Sequence, residues 1–154
     1  MDPADTPKPP GPNPPGIWFA VDVGTVRVGV ARSDPRGVLA LPVATLTRDP
    51  RSDRDIAELA GLVADYEAAG VVVGLPRTLA GREGTAADMA RSYGTALAAK
   101  IAPVPVEYLD ERLTTVSAQR KLHESGVRGR AGRAVIDQLA AVELLQHWLE
   151  VRRS

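Results

Sequence analysis

Hydrophobic and polar positions change period along this chain, and each change marks an element. Ile17 to Asp22 and Val26 to Ala31 are two short, β-rich apolar runs on either side of the turn-like Val23-Gly24-Thr25, which predicts two strands joined tightly. Asp34-Pro35-Arg36-Gly37 follows, with Asp first, Pro second and Gly fourth, as a type I turn favours. Val38 to Leu41 can then supply a returning third strand. After Pro50 the spacing lengthens. Ile56, Leu59, Ala60, Val63 and Tyr66 recur three or four apart, as on one face of a helix that stops at Gly70. Val71 to Leu75 is continuously apolar and closed by Pro76, the pattern of a parallel strand covered on both faces. Beyond a loop holding Gly81 and Gly84, the positions Ala87, Ala90, Tyr93, Leu97 and Ile101 predict a second helix. A short strand is expected at Val104 to Leu109, then helices around Thr115 to His123 and Ala134 to Val151, separated by the glycine-rich segment Ser125 to Gly132. Three antiparallel strands feeding a parallel α/β half, closed by a C-terminal helix, match a ribonuclease H-like fold: a mixed sheet with helices on both faces.

The first sixteen residues stand apart. They hold seven of the thirteen prolines and almost nothing to bury, so residues 1–16 are expected to form a disordered tail and 17–154 one domain. At 154 residues the chain is the size of one ordinary domain. No apolar run approaches the roughly 20 residues needed to cross a bilayer, nor is there a secretory signal pattern, so a cytoplasmic location is expected. The absence of cysteine removes disulfides, zinc-thiolate sites and thiol nucleophiles, leaving oxygen as the main metal ligand. Formal charge is zero but unevenly placed. Asp49 to Glu67 carries six acids against Arg51 and Arg54, whereas Arg112 to Arg133 carries six bases against Glu124 alone. Either stretch could be a plain solvated face, but a basic patch, if present, comes from the second.

Three carboxylates can carry chemistry. Asp22 ends an apolar strand, where a charge asks for a positive partner, a metal ion or an arginine, unless it only caps the following turn. Asp110 and Glu111 leave the last strand on opposite faces, so only one can enter a shared site, and Glu111 is favoured. Asp137 falls near the expected start of the last helix, where the helix dipole alone would favour an acid. Acids at the ends of three different elements are what two-metal phosphodiester cleavage requires, with Mg²⁺ or Mn²⁺ as the suitable ions. His123 and His147 are read as structural or surface residues.

Together the motifs Ala20-Val21-Asp22-Val23-Gly24-Thr25, Val28-Gly29-Val30-Ala31, Ser33-Asp34, Val73-Gly74-Leu75-Pro76, Asp110 to Thr115, and Ile136-Asp137 with Ala140-Ala141 resemble the YqgF/RuvX family of bacteria. The resemblance runs in order from about Ile17 to Leu149. It implies a ribonuclease H-like fold related to Holliday-junction resolvases of the RuvC type. It also implies a nuclease maturing the 5′ end of precursor 16S ribosomal RNA, in contact with RNA or ribosomal particles, or alternatively one cutting branched DNA. By motif, its catalytic and metal-binding acids fall on Asp22, Glu111 and Asp137. Gly74, Pro76 and Arg77 would then line the substrate groove, and Arg128, Arg130 and Arg133 would reach phosphates beside it. Monomer and homodimer both stay open, as does the choice of metal. Asp22-Val23-Gly24-Thr25 also resembles the first phosphate loop of actin-like and sugar kinases, but those need a duplicated domain. A non-catalytic RNA-binding module would make the carboxylates dispensable. The tail yields the first prediction: deleting residues 1–16 should leave the melting temperature and cleavage unchanged, and a large drop on a thermal melt would refute it.

Overall fold

The computed structural model describes residues 16–76, 84–110 and 129–153, with side chains of the last segment described only from Val135 to Arg152. Its elements are β1 (Trp18–Val23), β2 (Arg27–Ser33), β3 (Ala40–Thr47), α1 (Arg54–Asp65), β4 (Gly70–Leu75), α2 (Thr85–Ile101), β5 (Val106–Asp110) and α3 (Gly129–Arg153). The strands form one mixed sheet in the order β3-β2-β1-β4-β5. β2 pairs antiparallel with β1 and β3, while β1, β4 and β5 run parallel. Among the described residues no helix is long and apolar enough to cross a membrane.

Alternation along the strands sorts the core into two layers. Phe19, Val21, Val28, Val30, Val71 and Val73 pack against Ile56, Leu59 and Val63 of α1 and Ala90, Tyr93 and Leu97 of α2. Trp18, Ala20, Ala31 and Val72, one position out of phase, pack against Ala141, Leu144, Leu145, Trp148 and Leu149 of α3. All six residues of β4 are buried, as a strand covered on both faces must be. The α3 face of the sheet is built from small side chains, which lets the helix lie close and leaves room for Trp18 to meet Trp148 at 4.3 Å between ring centroids. A Cβ added at Gly70 would run into the Trp18 indole. The tightest point is Gly29, where a Cβ would collide with the backbone carbonyl of Asp137.

Three elements differ from the sequence expectation, the first being α1, which ends at Asp65 and not at Gly70 because the chain turns at Tyr66 and Glu67, the latter with φ 51°. The third strand starts at Ala40, not Val38, and runs on to Thr47 through Pro42. The turn itself forms as expected, with Gly37 N–H donating to Asp34 O at 3.0 Å. The Asp34 carboxylate also accepts the N–H groups of Val38 at 2.7 Å and Leu39 at 2.8 Å, so those two residues serve the turn and stay exposed. These donors, Leu39 foremost, hold the Asp34 carboxyl below its usual range. Pro42 is tolerated because β3 is an edge strand whose register shifts opposite Val30 and Ala31. The last helix begins at Gly129, five residues before Ala134, and includes Gly132. Each interior glycine costs only about 1 kcal/mol, which a long docked helix can offset. The expected helix around Thr115 to His123 lies outside the described residues.

Gly29→Ala should therefore cost about 1–3 kcal/mol by forcing α3 off β2. The measurement is a thermal or denaturant melt, and a variant as stable as the parent would show that the helix can shift freely.

Candidate active site

β1 and β2 form a hairpin with a three-residue connection, Gly24-Thr25-Val26, closed by Gly24 N–H donating to Arg27 O at 2.9 Å. A Cβ at Gly24 would stand 2.8 Å from that oxygen, so the closure needs glycine. Asp22 pairs directly with Gly29. Opposed residues of an antiparallel pair point to the same face, so Asp22 shares the face on which Asp137 lies over Gly29. Asp22 and Asp137 are thus brought to one corner of the sheet. Because α3 starts at Gly129, Asp137 lies beyond the first turn, and the helix dipole, which fades within that turn, does not account for an acid there.

Arg27 stands two residues before Gly29 on the same face. Its Nε donates to Asp137 Oδ2 at 2.7 Å, with the two side chains 25% and 21% exposed. Sequence reasoning asked for a positive partner at this corner and did not identify Arg27. The signal available was its place two residues from Gly29, hence on Asp22's face.

β5 obeys the same alternation. Leu109 packs in the α3-side layer and Glu107 pairs with Arg152 of α3 at 3.5 Å, whereas Tyr108 packs in the opposite layer. Asp110 therefore belongs to the face away from Asp22. Gly74 is paired with Leu109 and shares its face, on the strand next to Asp22. Pro76 follows it, half-buried. Glu111, Arg77 and Arg128 lie outside the described residues, and Arg130 and Arg133 are placed on α3 by backbone alone. Among the described residues no three metal-ligating side chains form a cluster. The carboxylates of Asp22 and Asp137 are hard oxygen donors, which suits Mg²⁺ or Mn²⁺, and among the described residues the Arg27 bond occupies one of the two Asp137 oxygens. His147 is exposed, as expected of a surface residue.

The hairpin is braced from its far side by Arg48, just after β3. Its N–H donates to Val26 O at 2.8 Å and its Nη1 to Gly24 O at 3.0 Å, while Nε lies 3.7 Å from Asp55 Oδ2. Its guanidinium also covers the Tyr93 ring at 5.2 Å. Asp55, counted in the sequence with a solvated acidic stretch, is 2% exposed and accepts the Asp49 N–H at 3.1 Å. Burial, with the Asp55 carboxylate beside it, pushes the Tyr93 hydroxyl above its usual range, so it stays protonated. Asp55→Ala should cost about 1–3 kcal/mol by stranding the Asp49 N–H and loosening Arg48. A melt within a few tenths of a degree of the parent would contradict this.

With the geometry in place, known proteins define the class. Two structures of RuvC from Thermus thermophilus share the fold. One, in complex with a Holliday-junction substrate, has TM-score 0.55 at 12% identity over 89% of this chain and 95% of that one. The other has TM-score 0.51 at 14% identity over 88% and 95%. The architecture is therefore the ribonuclease H-like fold. Residues 16–151 match the family described as "RuvX: Holliday junction resolvase", and the chain belongs to that family of nucleases. A Mycobacterium sp. (strain KMS) protein named "Putative pre-16S rRNA nuclease" is 59% identical over 150 residues, covering 96% of this chain and 89% of its own. Proteins of the same name from Frankia casuarinae and Mycolicibacterium smegmatis are 56% and 54% identical, over 90% and 96% of this chain and 68% and 89% of their own.

Proposed function

We propose that this chain is a metal-dependent ribonuclease that trims the 5′ end of precursor 16S ribosomal RNA in the cytoplasm, on RNA or on ribosomal particles. The observation that supports the site assignment is that Asp22 is paired with Gly29 while the backbone of Asp137 lies over that same residue. Glu111 is assigned as the third acid by the motif that it shares with the family, and the neighbouring Asp110 belongs to the face away from Asp22. Mg²⁺ or Mn²⁺ held by these carboxylates would supply an activated water and charge stabilisation at the leaving oxygen. Gly74, Pro76, Arg77, Arg128, Arg130 and Arg133 would border the path of the strand, as the family resemblance implies. The choice of RNA rests on the names of relatives above half identity. The family's description favours four-way DNA as the second reading. A resolvase must cut two strands, so that reading requires a homodimer with two sites. Offering both substrates while recording the mass in solution separates them: a monomer cutting RNA supports ours, and paired cuts in a junction by a dimer support the other.

The triad predicts its own mutational pattern. Asp22→Asn, Glu111→Gln and Asp137→Asn should each lower cleavage by orders of magnitude, while Asp110→Asn keeps most of it. Asp22→Asn should leave the metal-free protein as stable as before or slightly more so, since it removes a like charge beside Asp137. Asp137→Asn should instead lose up to about 1 kcal/mol, because Arg27 loses its carboxylate. Cleavage of one labelled substrate across the four variants, with melts in the presence and absence of Mg²⁺, reads all of this. Full activity in Asp22→Asn would end the assignment, and an inactive Asp110→Asn beside an active Glu111→Gln would reverse the choice of acid.

A further inference from the structure

Arg27 is used in the structure only through one edge. Its Nε is committed to Asp137 Oδ2, while its two Nη groups carry no hydrogen bond to any described residue. It is three-quarters buried, fixed at its base by the ladder of β2 and at its head by Asp137, so its guanidinium has little freedom left to lose. A guanidinium offers five N–H donors in a planar fork, and one side can bind a carboxylate while the other receives an anion. Arg27 stands on the same sheet face as Asp22, beside Gly29 and Asp137, in a site that must hold a phosphodiester against two carboxylates. An arginine that did nothing but neutralise Asp137 would work against its own site, because a divalent ion already requires that negative charge.

We infer that Arg27 is a bridging residue: Nε orients Asp137, and the Nη edge binds a phosphate of the nucleic-acid strand next to the bond being cut. This rests on the nuclease reading above. The bridge couples the two tasks of the corner, since the strand is held by the same side chain that sets the direction of a metal ligand. Asp137 keeps its second oxygen for the ion, and the phosphate enters beside a fixed positive charge that partly screens it from the acids.

The test measures binding separately from cleavage. A fluorescein-labelled RNA covering the 5′ end of precursor 16S ribosomal RNA is titrated by anisotropy with Ca²⁺ in place of Mg²⁺, at several salt concentrations, against the parent, Arg27→Ala and Arg27→Lys. Mn²⁺ binding without RNA is followed by calorimetry. Arg27→Ala should weaken RNA binding roughly tenfold and lower the slope of log affinity against log salt by about 0.7, one phosphate on a single strand. Arg27→Lys should restore the slope but not the affinity, because it keeps the charge and loses the fork. Mn²⁺ affinity should stay the same or rise in Arg27→Ala, as a positive charge leaves the site. An unchanged RNA slope in Arg27→Ala with weakened Mn²⁺ binding would overturn the bridge and leave Arg27 as a support for Asp137 alone. If Arg27→Ala does not fold, Arg27→Lys decides: an unchanged affinity counts against the fork, a reduced affinity with the parent slope supports it. A parent protein that binds no RNA would instead overturn the nuclease reading, and the bridge with it.

Discussion

The construction of this protein turns on how closely the last helix approaches the second strand. At Gly29 the backbone of α3 lies where any side chain would be, and Asp137 is the residue in contact. Such an approach is possible only because the surrounding sheet face is kept low by Ala20 and Ala31, with Trp18 lying over Gly70 to meet Trp148. Burial of the apolar side of α3, from Ala141 to Leu149, supplies the driving force, each fully buried large side chain contributing about 1.5–3 kcal/mol. The site corner is therefore a by-product of core packing. Once the helix is seated, Asp137 stands over the residue opposite Asp22, and no loop has to find its place for those two to meet.

Seating two acids together has an electrostatic cost that the surrounding residues meet in two ways. Arg27 compensates Asp137 directly, on the same face. On the other side of the hairpin, Arg48 holds the carbonyl of Gly24 and the Val26 backbone, and is itself held by buried Asp55 and the Tyr93 ring. The turn carrying Asp22 and Arg27 at its two ends is thus fixed by contacts that do not involve the acids, so it need not rearrange when their charge is met by an ion.

Much of this was readable from residue pattern alone, and the parts that were not have physical reasons. The change from period two to period three or four placed β1, β2, β4 and α2 within a residue or two of where they lie, because each buries a regular face, while the end of α1 came five residues before the expected Gly70. Asp22 was legible since a carboxylate ending an apolar strand has few uses. Asp55 was not: it belongs to a run of acids that composition cannot divide, and only the packing of α1 decides that one of them is covered. The onset of β3 depended on side-chain hydrogen bonds from Asp34 that compete with the ladder, and the onset of α3 on a docking energy that outweighs its glycines. Arg27 was missed because its role depends on a contact 110 residues away along the chain.

That last contact also bears on how the acids divide their work. A carboxylate has about four lone-pair positions, and Asp137 gives one to Arg27. What remains is directional, because Nε fixes the plane of the carboxylate as well as its charge. Asp22 is placed by the extended backbone of β1 and its pairing with Gly29. The two acids thus stand on elements that meet only in the folded state. The arrangement cannot persist in a partly folded chain with α3 undocked, so whatever the corner binds is bound by the complete core and adds its binding energy to the docking of that helix.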